Sequence, residues 1–315
     1  MNRCHRYILW PKALPSGGTI GIIAPASPAA PERIREALQV VQQLGFQYKL
    51  GRSVFETHGY LAGEDALRAN DVNQMFADPE VDAIFCLRGG YGTPRILDQI
   101  DYECIRYNPK IFVGYSDITA LHIAIHQRTG LITFHGPMIA ELADQPDPLT
   151  WPTLFQHLML PEPFGRYTTR EEMFQYTITP GVAQGRLIGG NLCLLVSSLG
   201  TPFELKTKGR ILFIEDVGEA PYSIDRMLTQ LKYAGKLQEA SGIVLADFSG
   251  AESKEGHSSL TLQQVFQETL SPLGVPCYFG LKSGHCQPNL TLPIGVKVRI
   301  HATEGWIETL EGGVR

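Results

Sequence analysis

Ser116 has the sequence setting most typical of a reactive side chain in this 315-residue protein. It follows an apolar run at 111–113 and precedes apolar residues at helical spacing. This order predicts a tight strand-to-helix turn, the arrangement that exposes a nucleophilic serine in hydrolases. The match to the hydrolase pattern G-x-S-x-G is partial, because Ile118 stands where the second glycine belongs. The competing interpretation is that Ser116 or Asp117 caps the helix, and this stretch alone favours the cap.

A catalytic serine needs an imidazole that takes its proton and a carboxylate that orients the imidazole. His285 is the better candidate base because it ends a glycine-flanked turn, and Glu215 ends an apolar strand. Asp216 is a second candidate for the acid, and strand alternation places its side chain on the opposite face of the strand from that of Glu215. Most histidines are structural, and an acid at a strand end is as often a local cap or partner. The order of the three candidates along the chain, with the nucleophile first, the acid second and the base third, does not by itself identify a catalytic triad.

The sequence Arg-Gly-Gly-Tyr-Gly at 88–92 follows another apolar run. Its glycines would let backbone amides approach a developing oxyanion, together with the amide of Asp117. A phosphate cradle is disfavoured, because Arg95 occupies the last position of G-x-G-x-x-G and the P-loop Gly-Lys-Ser/Thr is absent. A glycine turn that only closes a strand is equally compatible with the pattern.

His122 and His126 are one helical turn apart, which is a zinc-ligand spacing. They lack the glutamate of H-E-x-x-H and a third ligand nearby, so a polar helix face is the preferred interpretation and no metal is expected. Cys86 lies in an apolar run and is predicted to be a buried, inert thiol. The six cysteines form no C-x-x-C pair, which is typical of reduced thiols in a cytoplasmic protein.

The elements that must position these residues alternate between strands and helices, which predicts a doubly wound α/β sheet with parallel strands. Predicted strands lie at 17–24, 81–87, 111–114, 131–134, 185–191, 210–216, 242–247 and 275–279, with a C-terminal hairpin at 296–300 and 306–310. Predicted helices lie at 31–44, 64–76, 192–199, 223–234 and 260–270. Functional groups gather where such strands end, and the candidate residues occupy those positions.

Length and composition predict a soluble globular protein of two domains, with 43% hydrophobic residues, 19% charged residues and a net charge of -5. The expected division is 1–160, a proline- and aromatic-rich connection or lid at 161–180, and 181–315. No basic stripe points to nucleic acid, and no apolar run reaches the length of a membrane helix. The first fifteen residues lack the pattern of a signal peptide.

Taken together, the residues at these positions make the chain resemble the LD-carboxypeptidase (muramoyltetrapeptide carboxypeptidase) family, which includes microcin C self-immunity peptidases. The resemblance spans nearly the whole chain, and its motifs are RGGYG at 88–92, GYSD at 114–117, GGN at 189–191, IED at 214–216 and GH at 284–285. It implies an N-terminal Rossmann-like domain with a parallel sheet and a C-terminal swivelling β/α domain.

The resemblance also implies a Ser-His-Glu triad that needs no metal or cofactor. Ser116 is then the nucleophile, His285 the general base and later acid, and Glu215 the residue that orients the imidazole. Gly90 and the amide of Asp117 are the implied oxyanion donors. The implied protein is a cytoplasmic homodimer that removes the terminal D-alanine from murein tetrapeptide, often after meso-diaminopimelate.

A carboxypeptidase must recognise a free carboxylate, for which a guanidinium is suited. Arg88 could do this or could pair with a structural acid, and the sequence gives both equal weight. Two other functions stay open. One is a related hydrolase of peptide-nucleotide conjugates, and the other is an α/β ligand-binding protein in which Ser116 only caps a helix.

Overall fold

The computed structural model describes residues 7–144, 147–167, 176–252 and 258–315. By its contacts the chain divides into two compact units. Unit 1 comprises the described part of Met1–Glu162 with Leu290–Gly295 and Gly312–Arg315, and unit 2 comprises the described parts of Pro163–Asn289 and Val296–Glu311. Within these described ranges, no helix is both long enough and apolar enough to cross a membrane.

The strands are β1 Thr19–Ile23, β2 Gln47–Leu50, β3 Ala83–Cys86, β4 Ile111–Gly114, β5 Thr133–His135, β6 Tyr176–Thr179, β7 Val182–Asn191, β8 Arg210–Val217, β9 Gly242–Ser249, β10 Cys277–Phe279, β11 Leu292–Ile294, β12 Lys297–His301 and β13 Trp306–Thr309. The α-helices are α1 Pro31–Gln43, α2 Asp65–Ala77, α3 Tyr102–Tyr107, α4 Thr119–Thr129, α5 Thr150–Met159, α6 Leu192–Ser197, α7 Pro221–Tyr233 and α8 Leu262–Leu270.

Unit 1 contains a six-stranded sheet in the order β11-β5-β4-β3-β1-β2. Strands β1 to β5 are paired in parallel, and β11 joins the edge antiparallel to β5. The central strands β3 and β4 are buried at every residue, as expected for a parallel sheet whose crossovers are helices. The predicted Rossmann-like parallel sheet is confirmed.

Unit 2 contains a seven-stranded sheet in the order β13-β12-β7-β8-β9-β10-β6. Its centre, β7 to β10, is parallel, while β6, β12 and β13 pair antiparallel at the flanks. The predicted β/α architecture and the C-terminal hairpin are confirmed. Of the segment expected to form a connection or lid, 168–175 lies outside the described residues, and its end forms β6.

Parallel strands bring their carboxyl ends to one edge of a sheet, and loops that follow them meet there. In unit 1 the turns at 88–92 and 115–118 follow the neighbouring strands β3 and β4. In unit 2, Glu215 lies near the end of β8, and the segment 280–285 follows β10. Each unit thus collects its candidate residues at one edge of its own sheet.

Candidate active site

Ser116 follows β4 by two residues and begins a short 3-10 turn, Ser116–Ile118, that leads into α4. Its φ is +64°, and no other non-glycine residue among those described has a positive φ. For a residue with a Cβ this left-handed conformation costs about 1–2 kcal/mol, and such strain clusters at functional sites. Tyr115 and Ile118, which precede the turn and α4, make no side-chain cap bond. This geometry favours a nucleophile turn over a helix cap.

The glycine turn after β3 packs directly against Ser116. A Cβ at Gly89 would lie 2.9 Å from the Ser116 Cβ, so only glycine allows this approach. Gly90 has a φ of +116°, and a Cβ there would lie 2.3 Å from the Ser27 Oγ. That Oγ accepts a hydrogen bond from the Tyr91 amide at 3.1 Å. Sequence reasoning missed Ser27, because a single serine in a loop after a strand carries no spacing signal.

Asp117 connects the nucleophile turn to the residues that follow the glycine turn. Its side chain is 1% exposed, and its Oδ2 accepts from the Thr93 amide at 2.8 Å. The Thr93 hydroxyl donates in return to the Asp117 carbonyl oxygen at 2.5 Å. Burial raises the pKa of the Asp117 carboxyl, while the bonds from Thr93 and from the Gly92 amide oppose that rise. The carboxylate therefore has a structural task beside the expected role of the backbone amide.

Arg88 is exposed and donates from Nη1 to the Pro28 carbonyl oxygen at 3.2 Å. Within the described part of the chain, no carboxylate pairs with its guanidinium. The structure thus gives no support to the structural ion pair that the sequence left open. The alternative, recognition of a substrate carboxylate, stays a prediction.

In unit 2, the structure pairs His285 with Glu215. The imidazole Nδ1 donates to the Glu215 Oε2 at 2.7 Å, which makes Nε2 the basic ring nitrogen. The Glu215 side chain is fully buried, whereas the His285 side chain is 19% exposed. A buried carboxylate on Nδ1 fixes the tautomer and stabilises an imidazolium, as a base in acyl transfer requires.

A glycine makes this pairing possible. Gly284 has a φ of +103°, and a Cβ on it would lie 2.6 Å from the Glu215 Oε2. Its amide donates to the Asn289 Oδ1 at 2.9 Å, which fixes the turn before His285. Asn289 was not singled out by sequence reasoning, because a single asparagine in a loop carries no spacing signal.

Asp216, the competing acid, contacts other groups. Its Oδ1 accepts from the Asn191 side chain at 3.1 Å, and its Oδ2 accepts from the Cys193 amide at 3.0 Å. Burial raises the pKa of the Asp216 carboxyl to about 6. Asp216 therefore joins the start of α6 to β8, while its neighbour Glu215 contacts the histidine.

The interpretation of His122 and His126 as a polar helix face is wrong. Their exposures are 0% and 3%, because α4 follows a central strand and is buried on nearly all sides. His122 Nε2 donates to the Gly114 carbonyl oxygen at 2.7 Å, and His126 Nδ1 donates to that of Leu131 at 3.0 Å. Burial lowers the pKa of His122 to about 4. In the described ranges, neither histidine belongs to a group of three metal-ligating side chains.

The prediction for Cys86 is confirmed. The residue is fully buried in β3, and burial raises the pKa of its thiol well above the ordinary value. A thiol in that setting is not ionised at neutral pH and does not act as a nucleophile.

Comparisons with known proteins agree on one family. Residues 20–136 match the LD-carboxypeptidase N-terminal domain, and residues 184–300 match the LD-carboxypeptidase C-terminal domain. A probable murein peptide carboxypeptidase of Bacillus subtilis is 48% identical over 310 residues, covering 96% of this chain and 95% of that protein.

Two solved structures are similar over nearly the full chain. The structure of MccF in complex with glutamyl sulfamoyl guanosine has a TM-score of 0.89 at 28% identity, with 98% of this chain and 100% of that chain covered. The muramoyltetrapeptide carboxypeptidase from Oxalobacter formigenes has a TM-score of 0.82 at 28% identity, with 94% and 99% covered.

Proposed function

Because the chain belongs to the LD-carboxypeptidase family, we propose that it is a serine carboxypeptidase that releases the terminal D-alanine of murein tetrapeptide. Membership makes the chain a peptidase. The murein substrate is supported by the names of the Bacillus relative and of the Oxalobacter structure. The observation that carries a serine mechanism is the left-handed backbone of Ser116 at the end of β4.

In the proposed reaction, the Ser116 Oγ attacks the scissile carbonyl carbon and His285 Nε2 takes the hydroxyl proton. The tetrahedral intermediate collapses to an acyl-enzyme, and the protonated imidazole gives its proton to the departing amine of D-alanine. Water then attacks the acyl carbon while His285 takes its proton, and the second tetrahedral intermediate collapses with cleavage of the ester bond as His285 returns the proton to the Ser116 Oγ. Glu215 holds the imidazole through Nδ1 and stabilises its positive charge.

The oxyanion donors in this proposal are the amides of Gly90 and Asp117. Support comes from the close packing of the glycine turn on Ser116 and from the position of Asp117 directly after the nucleophile. Backbone amides aimed at the developing charge supply a large part of the rate enhancement in acyl transfer.

Arg88 is the proposed ligand for the substrate's free carboxylate, supported by its exposure and by its place beside the glycine turn. The substitution R88Q should lower the rate on the tetrapeptide about tenfold or more while changing the rate on its C-terminal amide little. The matched control is R95Q, which removes an exposed arginine of the following 3-10 helix, Thr93–Gln99, that is paired with Asp65. An unchanged ratio of the two rates in R88Q would refute this role.

The proposal includes a cytoplasmic location and a homodimer, both carried from the resemblance. The described cysteines, Cys86, Cys104, Cys193, Cys277 and Cys286, are free thiols, as expected in a reducing compartment. Sedimentation equilibrium measures the mass in solution directly, and fractionation of cells measures the location.

A second candidate is the hydrolysis of a peptide-nucleotide conjugate. The observation that favours it is the likeness to MccF, whose structure contains glutamyl sulfamoyl guanosine. A panel that compares murein tetrapeptide with aminoacyl sulfamoyl nucleosides separates the two functions by their kcat/KM values.

The decisive test is release of D-alanine from purified murein tetrapeptide by the wild type and by S116A. We expect robust release by the wild type and a loss of about four orders of magnitude or more in the variant. No release by a folded wild type would exclude this substrate. Labelling of Ser116 by a fluorophosphonate would then distinguish another serine hydrolase from a protein that binds without turnover.

A further inference from the structure

Arg68, in the first turn of α2, is fully buried although it carries a charge that is costly to remove from water. Its Nε donates to the Gly63 carbonyl oxygen at 3.2 Å. Its Nη1 donates to the carbonyl oxygens of Pro25 at 2.5 Å and of Gly92 at 3.0 Å. The guanidinium therefore joins the loops that follow β1, β2 and β3.

The carboxylate beside Arg68 is shared with a second cation. Arg68 Nη2 bonds to the Asp65 Oδ1. Arg95 bonds to both oxygens of the same carboxylate, and Asp65 is 26% exposed. One partly exposed anion thus faces two cations. The other nitrogens of the Arg68 guanidinium, Nε and Nη1, bond to peptide carbonyl oxygens.

The peptide between Gly92 and Thr93 lies between opposite buried charges. Its carbonyl oxygen, from Gly92, accepts from Arg68, and its N–H, from Thr93, donates to the buried Asp117 carboxylate. Both bonds are aligned with the peptide dipole, so each strengthens the other. The approach is close: a Cβ on Gly92 would lie 2.8 Å from the Arg68 Nη1, and the φ of Gly92 is +134°.

We infer that Arg68 is a positioning residue for the nucleophile turn. It fixes the Gly92–Thr93 peptide, that peptide fixes Asp117, and Asp117 adjoins Ser116. Loss of the guanidinium would leave the oxyanion amides free to move away from the geometry that the transition state needs. This inference rests on the proposed serine mechanism, and it assigns Arg68 no contact with substrate.

The rival explanation is that Arg68 only stabilises the fold. The two explanations differ in their kinetics, because a residue that only supports folding lowers the amount of active enzyme and leaves the kcat of the folded fraction unchanged. A residue that positions oxyanion donors lowers kcat with little effect on KM, since those donors act in the transition state.

The test compares R68K and R68M with the matched control R95M, which removes the other arginine bound to Asp65. For each protein we would determine the folded fraction by titration of active sites and circular dichroism. We would then measure kcat and KM for D-alanine release, and the rate at which a fluorophosphonate labels Ser116. The phosphoryl oxygen of that probe needs the same amides as the oxyanion.

We expect R68M to lower kcat and the labelling rate about 30-fold or more per folded molecule, with KM changed less than threefold. R68K should lower both rates about tenfold, because one ammonium group cannot reproduce the planar fork that bonds three carbonyl oxygens. R95M should stay within twofold of the wild type.

Wild-type kcat and labelling in folded R68M, or a loss confined to KM, would overturn the inference. If R68M does not fold, R68K decides the question, and full activity in R68K would overturn it. Failure of the proposed function is recognised separately. A wild type that is labelled but does not release D-alanine has another substrate, and the labelling rates still test Arg68. A wild type whose Ser116 is not labelled would refute the serine mechanism and the inference with it.

Discussion

The turn around Ser116 and the Glu215–His285 pair are positioned by different means. Ser116 is placed by its backbone, which adopts a strained φ and lies beside peptide groups that are hydrogen-bonded to the side chains of Ser27, Thr93 and Arg68. The pair in unit 2 is placed by one short side-chain hydrogen bond and by the missing Cβ of Gly284. A single side-chain change therefore breaks the pair, whereas the turn is held by several hydrogen bonds from different segments.

The two regions also differ in how their buried charges are paired. The Ser116 region buries an arginine and an aspartate that are joined through a peptide group. Unit 2 buries Glu215 with His285 bonded to one carboxylate oxygen, while the other, Oε1, has no hydrogen-bond partner among the described residues. A buried carboxylate with few donors depends strongly on the one donor it has.

Among variants that keep Ser116, the largest expected effect comes from removing the charge of that carboxylate. E215Q should lower kcat about 10³–10⁴-fold, because a neutral amide no longer favours the Nδ1–H tautomer or the imidazolium. The measurement is steady-state D-alanine release together with Ser116 labelling. The matched control is D216N, the adjacent acid, which does not contact His285 and should lower kcat less than tenfold. Equal losses in both variants would mean that the region responds to charge and not to the specific pair.

A smaller effect is expected when Gly284 gains a methyl group. In G284A the Cβ would meet the Glu215 Oε2 at 2.6 Å, so the carboxylate must move away from His285. We expect kcat to fall about 10- to 100-fold, together with a loss of roughly 1–3 kcal/mol of unfolding free energy.

The control for that variant is G274A. Gly274 has a φ of +66°, but a Cβ added to it would meet no other atom within 4 Å. The variant should show the backbone strain without the displaced carboxylate. G274A should therefore lose stability but keep its kcat, and a comparable drop in the kcat of G274A would contradict the steric explanation.

Local pattern was sufficient to predict the parts of each region that lie within one element. Apolar runs that end in glycine or in an acid predicted β3, β4 and β8, and with them the positions of Ser116 and Glu215. Helices with a clear apolar stripe, such as α1 and α7, were predicted to within a few residues. The family resemblance supplied the assignment of His285, which spacing alone left open.

What the sequence did not predict depends on contacts between distant segments. Strand β11 has only three residues, one of them a proline, and it is defined by its pairing with β5. Strand β2 lies at a sheet edge and contains Gln47 and Lys49, so its apolar signal is weak. Arg68 and Ser27 have ordinary sequence settings, and their importance follows from burial and from partners more than twenty residues away. His122 was misjudged because burial by tertiary packing leaves no periodic signal.

The two regions should also respond oppositely to mild acid. Burial lowers the pKa of His122 to about 4, below that of an unfolded histidine, so its contribution to stability is present above about pH 6.5 and is lost as the pH falls toward 4. Burial raises the pKa of Asp216 to about 6, above that of an unfolded aspartate, so stability is gained as the pH falls through 6. Each effect should reach about 1 kcal/mol between pH 7.5 and pH 5.5.

Urea unfolding of H122Q, D216N and the wild type at these two pH values measures both effects. Relative to the wild type, H122Q should gain about 1 kcal/mol on acidification, because its amide does not titrate and can still donate to the Gly114 carbonyl oxygen. D216N should lose about the same amount. Differences from the wild type that do not change with pH would show that neither group titrates between folded and unfolded states as inferred.

The smallest expected effect tests whether the backbone at Ser116 is strained. Glycine adopts a positive φ without the clash that a Cβ causes, so S116G should be more stable than S116A by about 0.5–1 kcal/mol, although both are inactive. Ser223 in α7 is the control, since its backbone is helical and there glycine should be less stable than alanine by a similar amount. Thermal and urea unfolding of the four variants measure both differences. If glycine is more stable than alanine at position 116 but less stable at position 223, the backbone of Ser116 is strained. If alanine is more stable at both positions, the backbone of Ser116 is not strained and side-chain contacts hold the turn.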